Sequence, residues 1–122
     1  QYLLLIYDDE KKMAEAQKDQ ASYGQFMADY QAFTQSIIES GEFKAGEALE
    51  PTSTATSVRI RDGETVLSDG PFAETKEALG GFYLVEAEDL DRACEIAAKI
   101  PSAKMGTIEV RPIMTWDEPA EG

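Results

Sequence analysis

No histidine occurs anywhere in the 122 residues. That absence removes the commonest general base near neutral pH and the commonest ligand of transition metals. Ser-His-Asp and Cys-His mechanisms are excluded, and so are zinc sites built on imidazole. Cysteine is almost as scarce. Cys94 stands alone, so no disulfide can form within the chain, and a single thiol fits a reducing, cytoplasmic setting. Positive charge is also short: 11 Lys and Arg face 24 Asp and Glu, for a net charge of −13. Such a chain lacks the basic footprint that neutralises phosphates, which argues against direct binding to nucleic acid. An anionic membrane surface is disfavoured for the same reason. No apolar run approaches the ~20 residues of a membrane span. Tyr2 to Tyr7 is apolar but short, and Asp8-Asp9 follow at once, so it is not a signal peptide. The chain contains no G-x-G-x-x-G, G-x-S-x-G or C-x-x-C. Gly41 and Gly46 have phosphate-loop spacing, but Glu47-Ala48 stands where Lys and Ser or Thr are required.

What is present describes one α+β domain over residues 1–115, followed by an acidic tail at 116–122. The run Tyr2–Tyr7 reads as a strand buried on both faces. Glu10 to about Gln20 is polar and helix-compatible. From Ala21 to Ser40, Phe26, Met27, Tyr30, Phe33, Ile37 and Ile38 recur at helical spacing, and Gly41 is a natural stop. Such an aromatic stripe is far more often core than a cofactor box. Phe43 to Leu49 reads as a strand and Thr52 to Ala55 as a loop. Thr56–Arg61 and Glu64–Ser68 alternate around Asp62-Gly63, a hairpin that pairs Val58 with Leu67 and Arg61 with Glu64. Phe82–Glu86 is a further strand. Asp89 caps a helix to about Ile100 whose inward stripe is Leu90, Ala93, Cys94 and Ala97, which makes Cys94 a small core residue. Pro101 ends that helix, and Thr107–Met114 is the last strand.

With the hairpin set aside, the order is β-α-β-β-α-β, a split βαβ or ferredoxin-like arrangement with its helices on one face of an antiparallel sheet. The other face then needs a cover, and a homodimer through sheet faces supplies one.

Chemistry is concentrated in Asp69-Gly70-Pro71-Phe72-Ala73-Glu74-Thr75-Lys76-Glu77. Gly70 and Pro71 punctuate the chain, Asp69 is placed to cap amides downstream, and Phe72 to anchor the loop in the core. Glu74–Glu77 reads as one helical turn. Asp69, Glu74 and Glu77 suit a general base or oxygen ligands, and Lys76 suits an anionic group. The same residues also make an ordinary capped turn followed by a solvated one. Arg59, with Arg61 and Arg111, can take a carboxylate ligand or form a surface ion pair such as Arg61–Glu64. Tyr7 and Glu47 lie at strand ends where they can line a pocket. No spacing requires a metal, and no cofactor is implied.

These residues resemble a known family. Tyr2–Tyr7, Gly46-Glu47-Ala48-Leu49, the block Asp69–Glu77, Gly80-Gly81-Phe82-Tyr83 and Glu109-Val110-Arg111-Pro112-Ile113 are together similar to the DGPF branch of the YCII-related domain proteins. The resemblance spans nearly the whole chain, and Asp69–Glu77 is its most specific piece. It implies a dimeric α+β barrel of ferredoxin-like subunits. In the wider family a His-Asp pair suggests enzymatic activity. This chain has no histidine, so the pair is not carried over, and Asp69 is not equated with its Asp. Relatives of the branch occur fused or adjacent to sigma-factor-like proteins, which implies a link to transcription initiation. Two functions follow as expectations. The first is binding of a small polar or anionic molecule at a pocket beside Asp69–Glu77, with or without catalysis. The second is a regulatory module for a partner such as a sigma factor, bound by a salt-sensitive contact.

Overall fold

Strand β1 (Tyr2–Asp8) forms the hub of a four-stranded sheet in a computed structural model that describes residues 1–116. Helices α1 (Glu10–Gln17) and α2 (Gln20–Glu39) follow it, then β2 (Phe43–Ala48). Strands β3 (Thr56–Arg61) and β4 (Glu64–Asp69) form a separate two-stranded ribbon. The chain returns through β5 (Ala78–Val85), α3 (Leu90–Ala98) and β6 (Thr107–Pro112). The main sheet has the order β2-β5-β1-β6, antiparallel at every pairing. This is the ferredoxin-like α+β arrangement with an inserted ribbon. No helix among the described residues is long and apolar enough to cross a membrane.

Local chemistry sets the element ends. Asp9 accepts hydrogen bonds from the Lys11 and Lys12 amides, Asp19 from Ser22 and Asp89 from Arg92, so each helix starts on an aspartate cap. Helix α2 stops where the Gly41 amide donates to Ile38 O and the Glu42 amide to Ile37 O. That pair of hydrogen bonds needs a left-handed residue, and Gly41 has φ 83°. At the ribbon's tip Asp62 and Gly63 have φ 52° and 79°, the two positive values of a type I′ turn. The ladder pairs Val58 with Leu67 and Arg61 with Glu64, as the alternation requires.

The core lies between the helices and one sheet face. Leu4 and Ile6 of β1, Tyr83 and Val85 of β5, Phe33 and Ile37 of α2, and Ile96, Ala97 and Ile100 around α3 make it up. Each large side chain so buried contributes roughly 1.5–3 kcal/mol. At one end of α3, Glu42 accepts from both Arg92 Nε and Nη2 at 2.8 Å. The Arg92 guanidinium, with help from Ser40, holds the Glu42 carboxyl down at about 2.

Within one subunit the helices cover the Leu4–Ile6 side of β1, and Leu3 and Leu5 on the opposite side are half-exposed, on the face expected to meet a partner. Several other expectations need correction. In α3 the buried line is Ala93, Ile96 and Ala97, not Leu90 and Cys94, and both of the latter are exposed. Ile96 and Ile100 extend the Ala93–Ala97 row, and that larger apolar surface turns the helix so that Cys94 faces out. Met27 and Ile38 likewise fall off the inward line of α2. Glu74–Glu77 is not a helical turn. The Thr75 hydroxyl bonds Glu77 O, and β5 begins early, at Ala78, drawing the segment out. Phe72 does not reach the core; it is 80% exposed. The turn is fastened instead by the Gly70 amide to Ala55 O (2.6 Å) and Ser57 Oγ to Gly70 O (2.8 Å), which hold the loop outside. Arg61 donates to Ile60 O rather than pairing with Glu64. The loop expected at Thr52–Ala55 is a short 3-10 turn at Thr52–Thr54. Trp116 is exposed, and the rest of the acidic tail lies outside the described residues.

Leu4 is fully buried and Cys94 is exposed. Urea unfolding of Leu4→Ala is expected to show a loss of about 2–5 kcal/mol. Cys94→Ser should stay within about 0.5 kcal/mol of wild type.

Candidate functional site

Helix α2 is longer than the core it covers. Phe33 and Ile37 pack on the sheet, but the same inward line continues through Tyr30, Phe26 and Tyr23 beyond the core. There α1 and α2 stand off the sheet, leaving a cleft of about 900 Å³. That volume lies in the range of small-molecule sites. Met13, Ala14 and Gln17 of α1 and Tyr23, Phe26 and Tyr30 of α2 line one side. Ile6 and Asp8 of β1, Phe43 and Gly46 of β2, and Gly81 and Tyr83 of β5 line the other. Phe26 meets Tyr30 edge-on at 5.2 Å, and Phe43 meets Tyr83 at 6.2 Å, so the walls carry ring faces and edges fixed against one another.

Two glycines let the sheet side pack closely beneath the cleft. A Cβ on Gly46 would lie 2.8 Å from the Tyr83 ring, and one on Gly81 2.8 Å from Glu47 O. Both close approaches need the missing side chain. The rim is tied down by Glu10, whose carboxylate accepts from the Thr52 amide at 2.8 Å and the Thr52 hydroxyl at 2.6 Å. That clamp joins the first turn of α1 to the chain leaving β2.

Asp8 is the last inward residue of β1 and lies at the floor. Its Oδ1 is buried and has no hydrogen-bond partner. Burial raises its pKa above the usual 3.8, the Ser102 hydroxyl beside it pulls the other way, and the Glu77 charge adds to the rise. Ser102, only 1% exposed, shares a 2.6 Å hydrogen bond with the Tyr30 hydroxyl. Burial, with the Asp8 charge, pushes the Tyr30 phenol up to about 12, so it stays protonated. Thr34 holds the Tyr83 hydroxyl in the same way. A carboxyl, a serine and a phenol thus converge beneath aromatic walls, able to accept and donate hydrogen bonds. The lining includes Asp8, Glu10 and Glu47 but no Lys or Arg. Among the described residues, no group of three or more Cys, Asp and Glu is placed to hold a metal ion.

The residues singled out in the sequence are dispersed. Glu47 borders the cleft on edge strand β2, but its ladder partner is Phe82, on the sheet face away from the helices. Glu77 accepts from Thr107 Oγ1 at 3.0 Å and reaches the site through its charge on Asp8. Tyr7 adjoins Asp8 but alternates to the other face, paired with Leu79 and Thr107. Asp69, Glu74, Lys76 and Arg59 are exposed and do not line the cleft. Gly70, Pro71 and Phe72 shape the outer loop, which enters the cleft wall only at Ala78. Asp8, Tyr30 and Ser102 carry the polar floor without a sequence motif. The one signal for Asp8 is its place in the alternation Leu4-Ile6-Asp8, which puts a carboxylate on the core side of the strand.

A family model described as the YCII-related domain matches residues 1–117. The chain is also similar to an uncharacterised protein of Rhizobium meliloti (strain 1021), 37% identical over 117 residues. The match takes in 94% of this chain and 93% of that relative.

The raised pKa of Asp8 gives a pH signature. Between the unfolded value of 3.8 and the higher folded value, the native state binds more protons than the unfolded state. Stability from this group therefore rises as pH falls through that window, and ionised Asp8 is a cost above it. Denaturation of Asp8→Asn is expected to show a gain over wild type at pH 7 that shrinks towards pH 4. Glu42 acts oppositely: its contribution is lost as pH falls from its unfolded 4.5 towards about 2.

Proposed function

The chain belongs to the YCII-related domain family, and from that membership and the cleft's chemistry we propose that it binds a small polar molecule with an apolar body. The carrying observation is a cleft of about 900 Å³ with aromatic walls and a polar floor at Asp8, Ser102 and Tyr30. Of the polar and anionic ligands the sequence suggests, the lining favours the polar one, because no Lys or Arg faces the cleft. The loop Asp69–Glu77 acts in this reading from the rim. It leads into Ala78 and places Glu77 near the floor. The same loop supports placement in the DGPF branch.

The functional unit in this reading is a homodimer through sheet faces. The ladders place Leu3 beside Leu84 and Leu5 beside Phe82 on the side without helices. Glu109 and Arg111, bonded to each other at 3.1 Å, sit at the margin of that patch. An apolar sheet centre with a charged margin suits face-to-face packing.

Fragment hits found by amide NMR are expected to move signals of Phe26, Tyr30 and Gly81. Met27→Trp, a larger side chain at the partly exposed edge of the lining, should weaken them about tenfold or more. Hits that move only signals of residues 69–77 would overturn the cleft reading. Light scattering is expected to give a dimer for wild type and a monomer for Leu5→Asp. A wild-type monomer at micromolar concentration would remove the dimer.

A further inference from the structure

We infer that the cleft selects an organic cation: an amine or quaternary ammonium group carried on an apolar or aromatic body. This rests on the reading of the cleft as a binding site and goes beyond it by assigning the ligand's charge.

Two independent features of the lining lead to that charge. The first is its ionisable inventory. Asp8 stands at the floor and Glu10 at the rim, with no Lys or Arg in the lining and no histidine in the chain. An anion entering would be stripped of water beside like charges, with nothing to offset the loss. A cation meets attraction there, strengthened where apolar walls lower the local dielectric. The net charge of −13 also raises the local concentration of cations at the mouth.

The second feature is aromatic. Tyr23, Phe26, Tyr30, Phe43 and Tyr83 all line the cleft. Ring faces attract an ammonium group, and bulky quaternary groups, which hydrogen-bond poorly, gain most from them. A merely greasy pocket would be served as well by Leu, Ile or Val, yet this one takes five rings from α2, β2 and β5. The unpartnered Oδ1 of Asp8 completes the picture. A cation held over the floor compensates a carboxyl that has no ion pair among the described residues, and the Tyr30 hydroxyl, bonded to Ser102 beside it, is placed to orient a polar substituent.

Three ring-matched probes separate charge from shape: benzyltrimethylammonium, benzyl alcohol and benzoate, each titrated against the whole chain by amide NMR. The ammonium is expected to bind at cleft residues about tenfold more tightly than the alcohol, and benzoate more weakly than either. Asp8→Asn should reduce ammonium affinity about tenfold and leave the alcohol nearly unchanged. Glu10→Gln, on an exposed residue, provides a second variant whose effect on the ammonium should be smaller, about twofold to threefold. Added salt should weaken the ammonium alone. Equal binding of all three probes in the cleft would overturn the cation assignment and leave the binding site standing. Tighter benzoate binding would do the same. No movement of cleft signals with any probe would overturn both.

Discussion

The inward row of β1, Leu4-Ile6-Asp8, sets the layout of the molecule. Strand β1 is hydrogen-bonded on both sides, to β5 and to β6, so its register fixes the sheet. Leu4 and Ile6 lie under the helices, and two residues later the same row ends on a carboxylate. A shift of one residue would turn Leu3 and Leu5 inward and expose Asp8 on the other face. Core and candidate site are therefore consecutive positions of one strand, and neither can move without the other. The bulge between Ile6 and Tyr7 lies at the boundary between them, where Gly80 drops out of the β1–β5 pairing.

Helix α2 makes the matching transition. Its inward line supplies Ile37 and Phe33 to the core and then Tyr30, Phe26 and Tyr23 to the cleft wall. One amphipathic stripe thus serves packing at its C-terminal half and lines the cleft at its N-terminal half. Tyr30 is the joint. Its ring packs against the core cluster, and its hydroxyl meets Ser102 beside Asp8. The fold positions the floor through these contacts from β1, α2 and the turn after α3, none of which lies in the sequence's most distinctive loop.

The architecture was legible because it rests on periodicity and punctuation. A continuous apolar run marked β1, Asp62-Gly63 marked the ribbon, and Asp89 and Gly41 marked helix ends, each through local chemistry. The failures share a cause. Whether Phe72 reaches a core, or Cys94 faces one, depends on the orientation of a whole element, which local spacing leaves free by one helical position or one loop. The cleft was the least legible part. Asp69, Glu74 and Lys76 stand out as polar residues around a Gly-Pro turn, yet they project into solvent. Asp8 looked like one of two acids closing a strand. Its neighbour Asp9 does take up an ordinary capping role, and only the tertiary fold shows that Asp8 is left at the bottom of a cleft.

The claim that Asp8 is a desolvated carboxyl at the floor of an aromatic cleft can be read on the residue itself. Carboxyl-carbon NMR gives its titration midpoint directly in the folded protein. A floor carboxyl requires a midpoint above the unperturbed 3.8. It should rise further when Ser102→Ala removes the neighbouring hydroxyl that favours the ionised form. A midpoint at or below 3.8 would show a solvated or paired carboxylate and contradict the site as described.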